Sequence, residues 1–210
     1  AAREALRQLR ADSVSLREPR APRPASAPAA AVSPAASGKI GLESLLGPRD
    51  PDTRRARLLD WLRGQPPQSD LWHEIAVNSD PDGMGAIFLW IVRQPDCDAA
   101  TAAHIFHANN SFEALDQDGR IDREQREIAA TVATRWAAND FARYELAFEE
   151  RGYEESLATY RKLETQAAQR SGAPPFTTPE GLFRFRAGRA PATPYFYSDF
   201  DTFDATAGAA

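Results

Sequence analysis

Through the middle of the chain, apolar residues recur at the three- and four-residue spacing of a single helix face. "DPDTRRARLLDWLRG" (50–64) sets Leu58, Leu59, Trp61 and Leu62 on one broad stripe, opens with acids and stops at Gly64, which predicts an amphipathic helix. In "SDLWHEIAVN" (69–78), Leu71, Trp72, Ile75 and Ala76 face inward, with Ser69 as N-cap and Asn78 as a left-handed stop. After the tight "SDPDG" turn, "MGAIFLWIVRQ" (84–94) is apolar around most of its circumference. That predicts the most buried helix, and its β-branched and aromatic content leaves a strand as the alternative. "CDAATAAHIFHA" (97–108) predicts a further short helix. A long helix is expected from about Asp122 to Arg151: Ile128, Val132 and Trp136 step by four, and Ala137, Phe141, Tyr144 and Phe148 continue the face. Gly152 breaks it, and Tyr153, Leu157, Tyr160 and Leu163 resume on a second helix, which makes a helical hairpin.

The two ends read differently. "PRAPRPASAPAAAVSPAASG" (19–38) contains no carboxylate and no aromatic residue, and its prolines remove amide donors. Residues 1–39 are therefore expected to be a disordered Ala/Pro/Arg-rich segment and linker, with "AAREALRQLRA" too short to be a stable helix alone. Beyond residue 170, "SGAPPFTTPEG" reads as loop, "LFRFR" alternates, and "PYFYSDFDTFD" is aromatic and acidic. The last two either pair as a short β-hairpin, with Arg184 and Arg186 near Asp199 or Asp201, or the tail lies as a strap across the helices. The expected fold class is all-α: a helical domain over 40–170, followed by a loop and an aromatic–acidic tail over 171–210.

Composition narrows this picture only slightly. A chain of 210 residues, 42% hydrophobic and 26% charged, suits one domain with a real core or two small ones. No apolar run reaches the roughly 18 residues of a membrane span. The single cysteine excludes an internal disulfide and leaves the compartment open between cytoplasm and periplasm. The first residue is Ala1 rather than Met, so a leader or anchor upstream also stays open. Charge is uneven: residues 1–40 carry seven Arg/Lys and three acids, whereas the rest carries 18 basic and 27 acidic residues, a net −9. An acidic body argues against nucleic acid as the ligand and is compatible with a basic protein partner.

The candidate chemistry is concentrated in "QPDCDAATAAHIFHANN" (94–110), which holds the only cysteine and two of the three histidines. Asp98 suits an N-cap, its carboxylate accepting first-turn amides such as that of Thr101, with Cys97 just before it in a hydrophobic staple. His104 and His107 share a helix face. With Cys97 or His73 they suggest zinc, but no CxxC or HxxxH spacing is present. A nucleophilic Cys97 would need one of those histidines as base and an oxyanion site that nothing else in the chain supplies. "HEIAV" (73–77) places Val77 where a zincin needs its second histidine. "DQDGRIDREQ" (116–125) offers Asp116, Asp118 and Asp122 around Gly119. In calcium-loop register, however, its first ligand position is Ala114 and its last is Gln125. Glu149, Glu150, Glu154 and Glu155 read as a solvated surface. No phosphate-binding glycine loop and no GxSxG elbow occur. Catalytic residues, metal and cofactor are therefore expected to be absent.

Across Leu71–Ala108 the chain resembles a bacterial family known as domain of unknown function 4274. The likeness lies in "EIAVNSDPDG", "AIFLWIVRQPDCD" and "TAAHIF", at Ala76, Asn78, Asp82, Gly83, Cys97, Asp98, Thr101 and Ala102. The usual aromatic in the asparagine turn is replaced by Ser79 and Pro81, and neither His104 nor His107 falls on a hallmark position. The resemblance implies a small, mostly helical bacterial domain with no catalytic residues established, in some cases in a toxin-immunity setting; Asp82, Gly83, Asp98 and Thr101 are expected as structural caps. The expected function is non-enzymatic binding of a protein, in one form an immunity-type factor that binds a secreted toxin. The alternative is an enzyme or metal-dependent regulator centred on Cys97, His104 and His107. The expected interface is Tyr195, Phe196, Tyr197, Asp199, Phe200, Asp201 and Phe203, whose rings must either pack on the helices or anchor a partner.

Overall fold

The structure, a computed structural model, describes residues 40–42, 46, 50–109, 111–116, 123–143, 146–148, 157–184 and 187–196. The chain divides into two units, Ala1–Ser37 and Gly38–Ala210, and all described residues belong to the second. The N-terminal segment, the calcium-like loop over 117–122, the paired glutamates, Phe185, Arg186 and the tail from Tyr197 onward lie outside them.

The second unit is mostly helical. Helix α1 (Pro51–Arg63) starts at Asp50, whose carboxylate accepts the Thr53 amide at 2.9 Å. Pro51 takes the first helical position, where a missing N–H costs nothing. Leu58 and Leu62 are buried, and Leu59 and Trp61 pack against the same core. Helix α2 (Ser69–Asn78) departs from expectation at both ends. Its N-cap is Gln68, without a side-chain bond, and the Ser69 hydroxyl instead donates to the Asp96 carbonyl at 2.6 Å. Asn78 is not left-handed: it stays in the helix and donates to the Glu74 carbonyl, and the chain leaves through an extended Ser79.

The turn after α2 runs from Pro81 to Met84, closed by the Met84 amide on the Pro81 carbonyl at 3.1 Å. Gly83 sits third in this turn at φ 78°, where a side chain would be strained. The polar brace there is Asp80, whose carboxylate accepts the Asp82 amide; Asp82 itself contributes only its backbone.

Helix α3 (Gly85–Arg93) resolves the choice between helix and strand in favour of helix. Helix α4 (Ala99–Ala108), not α3, is the most completely buried, at eight of ten residues against five of nine. Its alanines explain this, because small side chains let α2, α3 and a later helix approach it from several sides.

The long helical hairpin does not form. Helix α6 (Arg123–Ala137) stops well short of Arg151. Asn139 adopts φ 53°, its amide bonds the Trp136 carbonyl, and the Asp140 amide bonds the Arg135 carbonyl. This is a Schellman stop built on asparagine rather than glycine. Arg135 reinforces it, donating to the Asp140 carboxylate (3.0 Å) and carbonyl (2.8 Å) and lying 4.3 Å over the Phe141 ring. The same guanidinium reaches the Val92 and Gln94 carbonyls, satisfying acceptors left open at the end of α3. Beyond this stop the described residues make isolated parallel pairings. Ala142 pairs in parallel with the residues around Asp98, and Leu146 pairs with Arg189. Helix α7 (Leu157–Ser171) packs on the short α5 (Glu113–Asp116), while α6 packs on α3 and α4.

After α7 a 3-10 turn (Glu180–Phe183) leads into a strap ending in β2 (Tyr195–Phe196), which pairs in parallel with β1 (Ile40–Gly41). The described part of the tail thus lies as a strap, and the hairpin with 182–186 is not shown. Tyr195 meets Trp61 edge-on with centroids 5.4 Å apart. Among the described residues, no helix is long and apolar enough to cross a membrane.

Candidate functional site

The fold disperses Cys97, His104 and His107 into three separate environments. Cys97 is 0% exposed, its Sγ 3.6 Å from the Asp98 carbonyl. Burial pushes its thiol well above the ordinary range, and nearby Arg135 only partly offsets this. A thiol in that state is a packing group. Asp98 caps α4 as expected, though its carboxylate accepts the amide of Ala100, at 2.7 Å, rather than that of Thr101. Thr101 is not a cap: its buried hydroxyl lies 3.0 Å from His73 Nδ1.

His107 belongs to an aromatic box. It stacks on Phe148 and meets Phe183 edge-on at 4.9 Å, while its Nε2 lies 3.0 Å from the Leu182 carbonyl. A carbonyl only accepts, so Nε2 carries the proton. Phe106, Tyr160 and Phe176 complete this cluster, with Phe106 and Tyr160 stacked at 5.5 Å. Phe183 also packs on Tyr160, with centroids 5.1 Å apart.

Of Cys97, His104 and His107, His104 lines a cleft formed by described residues. It is half-buried and lines a cavity of about 330 Å³ together with His73, Glu74, Val77, Ala147, Gly188, Ala190 and Pro191. Helices α2 and α4 form one wall, and the strap over 187–191 with Ala147 forms the other. Two contacts fix the strap. The Ala147 amide bonds the Arg189 carbonyl at 3.1 Å, and Asp70, at the start of α2, takes both Arg189 nitrogens (2.6 and 2.8 Å) and the Ala192 amide (2.6 Å). Such a bidentate pair fixes orientation as well as position.

The electrostatics of the cleft follow from burial. Desolvation lowers the His73 pKa to about 4, the Arg189 charge adds to this, and Asp70 opposes it, so the imidazole is neutral at neutral pH. Burial would raise the Asp70 carboxyl, but the Arg189 hydrogen bonds and charge and the Ala192 amide outweigh it and hold the group below the usual carboxylate range. Glu74 is 5% exposed and is the only formally charged residue among the described residues of the lining.

A second, broader cleft of about 720 Å³ lies across Gly188, lined by Asp98, Ala99, Ala100, Arg143, Leu146, Ala187 and Arg189. It offers anions little. The Ala99 and Ala100 amides are taken by Ala142 and Asp98, Arg189 is held by Asp70, and Arg143 reaches Asn139. Among the described residues, no three His, Cys, Asp or Glu side chains are grouped to hold a metal ion. Ala114, the first position of the calcium-loop register, is a core residue. Of the expected interface, Tyr195 is half-buried against α1 and Phe196 is in β2; Tyr197, Asp199, Phe200, Asp201 and Phe203 lie outside the described residues.

Sequence reasoning missed Glu74 and the Asp70–Arg189 clamp. Asp70 and Arg189 stand 119 positions apart, and no local pattern joins them. Comparison of the chain with protein-family models, with curated proteins and with solved structures finds no match.

Proposed function

We propose that this chain is a non-enzymatic protein-binding domain whose partner is basic. The observation that carries the reading is the net charge of −9 after position 40, together with a cleft at α2 and α4 whose described lining carries the acid Glu74. Such a surface attracts cationic partners and discriminates against anionic ones. The rival reading, an enzyme or metal-dependent regulator built on Cys97, His104 and His107, loses support from their placement. The thiol is sealed and hard to ionise, and His107 is committed to the Leu182 carbonyl. The resemblance to domain of unknown function 4274 adds a biological form to the binding reading: an immunity-type factor that holds a secreted toxin.

The test is co-expression with the product of the adjacent gene, followed by gel filtration at low and high salt. A stoichiometric complex whose association slows as salt rises supports the proposal, and protection of cells against that product supports the immunity form. Turnover of a substrate that disappears on His104→Ala would instead support the enzyme.

A further inference from the structure

We propose that the strap over 187–192 is an autoinhibitory latch: it lifts off Asp70 while the helices stay folded, and an extended, Arg-bearing segment of the basic partner takes the place of Arg189. This rests on the protein-binding reading and names its point of entry. Ala187, Gly188, Arg189, Ala190 and Ala192 are all exposed, so the stretch buries little apolar surface to hold it down. The hydrogen bonds described for it converge on one side chain: the Asp70 carboxylate accepts both terminal nitrogens of Arg189 and the Ala192 amide. The ion pair is partly open to water, where such pairs add little net stability. Gly188 lines both clefts, the smaller with Ala190 and Pro191 and the larger with Ala187 and Arg189. The strap therefore runs between them, and lifting it joins the two into one groove along α2 and α4.

The strap itself shows what the seat accepts. An extended "AGRAPA" places a guanidinium on a carboxylate in bidentate fashion, one carbonyl on the Ala147 amide and one amide on Asp70. A basic partner supplies the same groups, and the acidic body draws it in. Asp70 stays a suitable seat after Arg189 leaves, because it stands in the first turn of α2, where the helix dipole favours a negative charge. The tether keeps Arg189 at a high effective concentration, so a short free peptide competes only once that arginine is replaced.

Native-state hydrogen exchange, read by NMR on the unaltered chain, tests the latch. The Ala192 amide, bonded to Asp70, and the Ala147 amide, bonded to the Arg189 carbonyl, should share one protection factor. It should lie at least about tenfold below those of the buried Ile91 and Ile105 in α3 and α4. Low urea should erode the protection of Ile91 and Ile105 and leave that of the strap pair unchanged, because lifting the strap exposes little surface. The second arm titrates an acetylated, amidated copy of Ala187–Ala192 into Arg189→Ala. Saturable shifts of the His73 ring are expected, since that ring feels the charges of both Asp70 and Arg189. The same peptide with alanine for arginine, or the intact peptide with Asp70→Asn added to the protein, should give none. The latch is overturned if Ala147 and Ala192 exchange only in step with Ile91 and Ile105, or at unrelated rates. Its autoinhibitory role is overturned if the peptide does not saturate or binds equally without its arginine. If the peptide fails while a salt-sensitive complex with the adjacent gene product persists in Asp70→Asn, the protein-binding reading stands and its contact lies elsewhere.

Discussion

Acidification should destabilise this domain through His73 before its carboxylates titrate. The imidazole has an ordinary value of 6.5 and is held at about 4 by burial in the fold. Because the folded value is the lower one, the unfolded chain takes up the proton first. The stabilisation is therefore complete above about pH 6.5 and is lost as the pH falls toward about 4. The full shift corresponds to on the order of 3 kcal/mol, of which about 2 kcal/mol is gone by about pH 5. That is a large part of the ~5–15 kcal/mol that holds a typical domain together. Asp70 acts in the same direction but lower: its pKa is depressed below 3.8, so its contribution disappears only beneath that value. The two windows are separable. Urea unfolding followed by the fluorescence of the four tryptophans, at pH steps from about 7.5 to about 4.5, measures the slope. In His73→Gln the titration is removed while His104 and His107 remain, so the wild type should lose about 2 kcal/mol more than the variant between about pH 7 and about pH 5. Parallel curves for the two proteins would refute a buried, neutral His73.

Other consequences can be checked with the same unfolding assay. Cys97→Ser should cost about 1 kcal/mol by burying a more polar atom, with partner binding intact; abolished binding at full stability would make the cysteine functional. Gly83→Ala places a β-carbon at φ 78°, 2.1 Å from an Arg55 guanidinium nitrogen that can swing away, so the backbone strain should cost about 1 kcal/mol or more. An unchanged denaturation midpoint would show that the turn relaxes. Truncation after Pro194 removes the Tyr195–Trp61 contact and the β1–β2 pairing, and should lower the melting temperature by about 4 °C or more. Unchanged melting with lost partner capture would assign the tail to an interface instead.

The helices α1 to α4 were legible because periodicity reports burial: Leu58, Leu62, Leu71, Trp72, Ile75 and Ala76, read as inward, are buried. The same signal failed after residue 137. Phe141 and Phe148 continue the helical face, but Leu146 and Phe148 also alternate around Ala147, and Leu146 pairs in parallel with Arg189. "Asn139-Asp140" was the available stop signal: asparagine tolerates the left-handed conformation that ends the helix. Buried polar residues were harder still. His107 is buried because Phe148 and Phe183 converge on it with the Leu182 carbonyl, 75 positions away, and His73 because Thr101 meets it from 28 away. Nothing in the spacing of neighbouring residues encodes such partners, so a polar residue on a helix looks the same whether it is solvated or enclosed. The cleft is built from such long-range meetings.

The parallel seam between Ile40–Gly41 and Tyr195–Phe196 bears on the order of folding. During synthesis β1 emerges early and its partner strand only after more than 150 further residues, so the intervening helices must collapse first. Through that interval the Trp61 ring lacks the edge of Tyr195, and α1 presents an aromatic side chain to the translation machinery and its chaperones. A ribosome stalled before Tyr195 should therefore hold a largely helical nascent chain whose α1 amides still exchange with solvent. Release of β2 would protect them in a single late step.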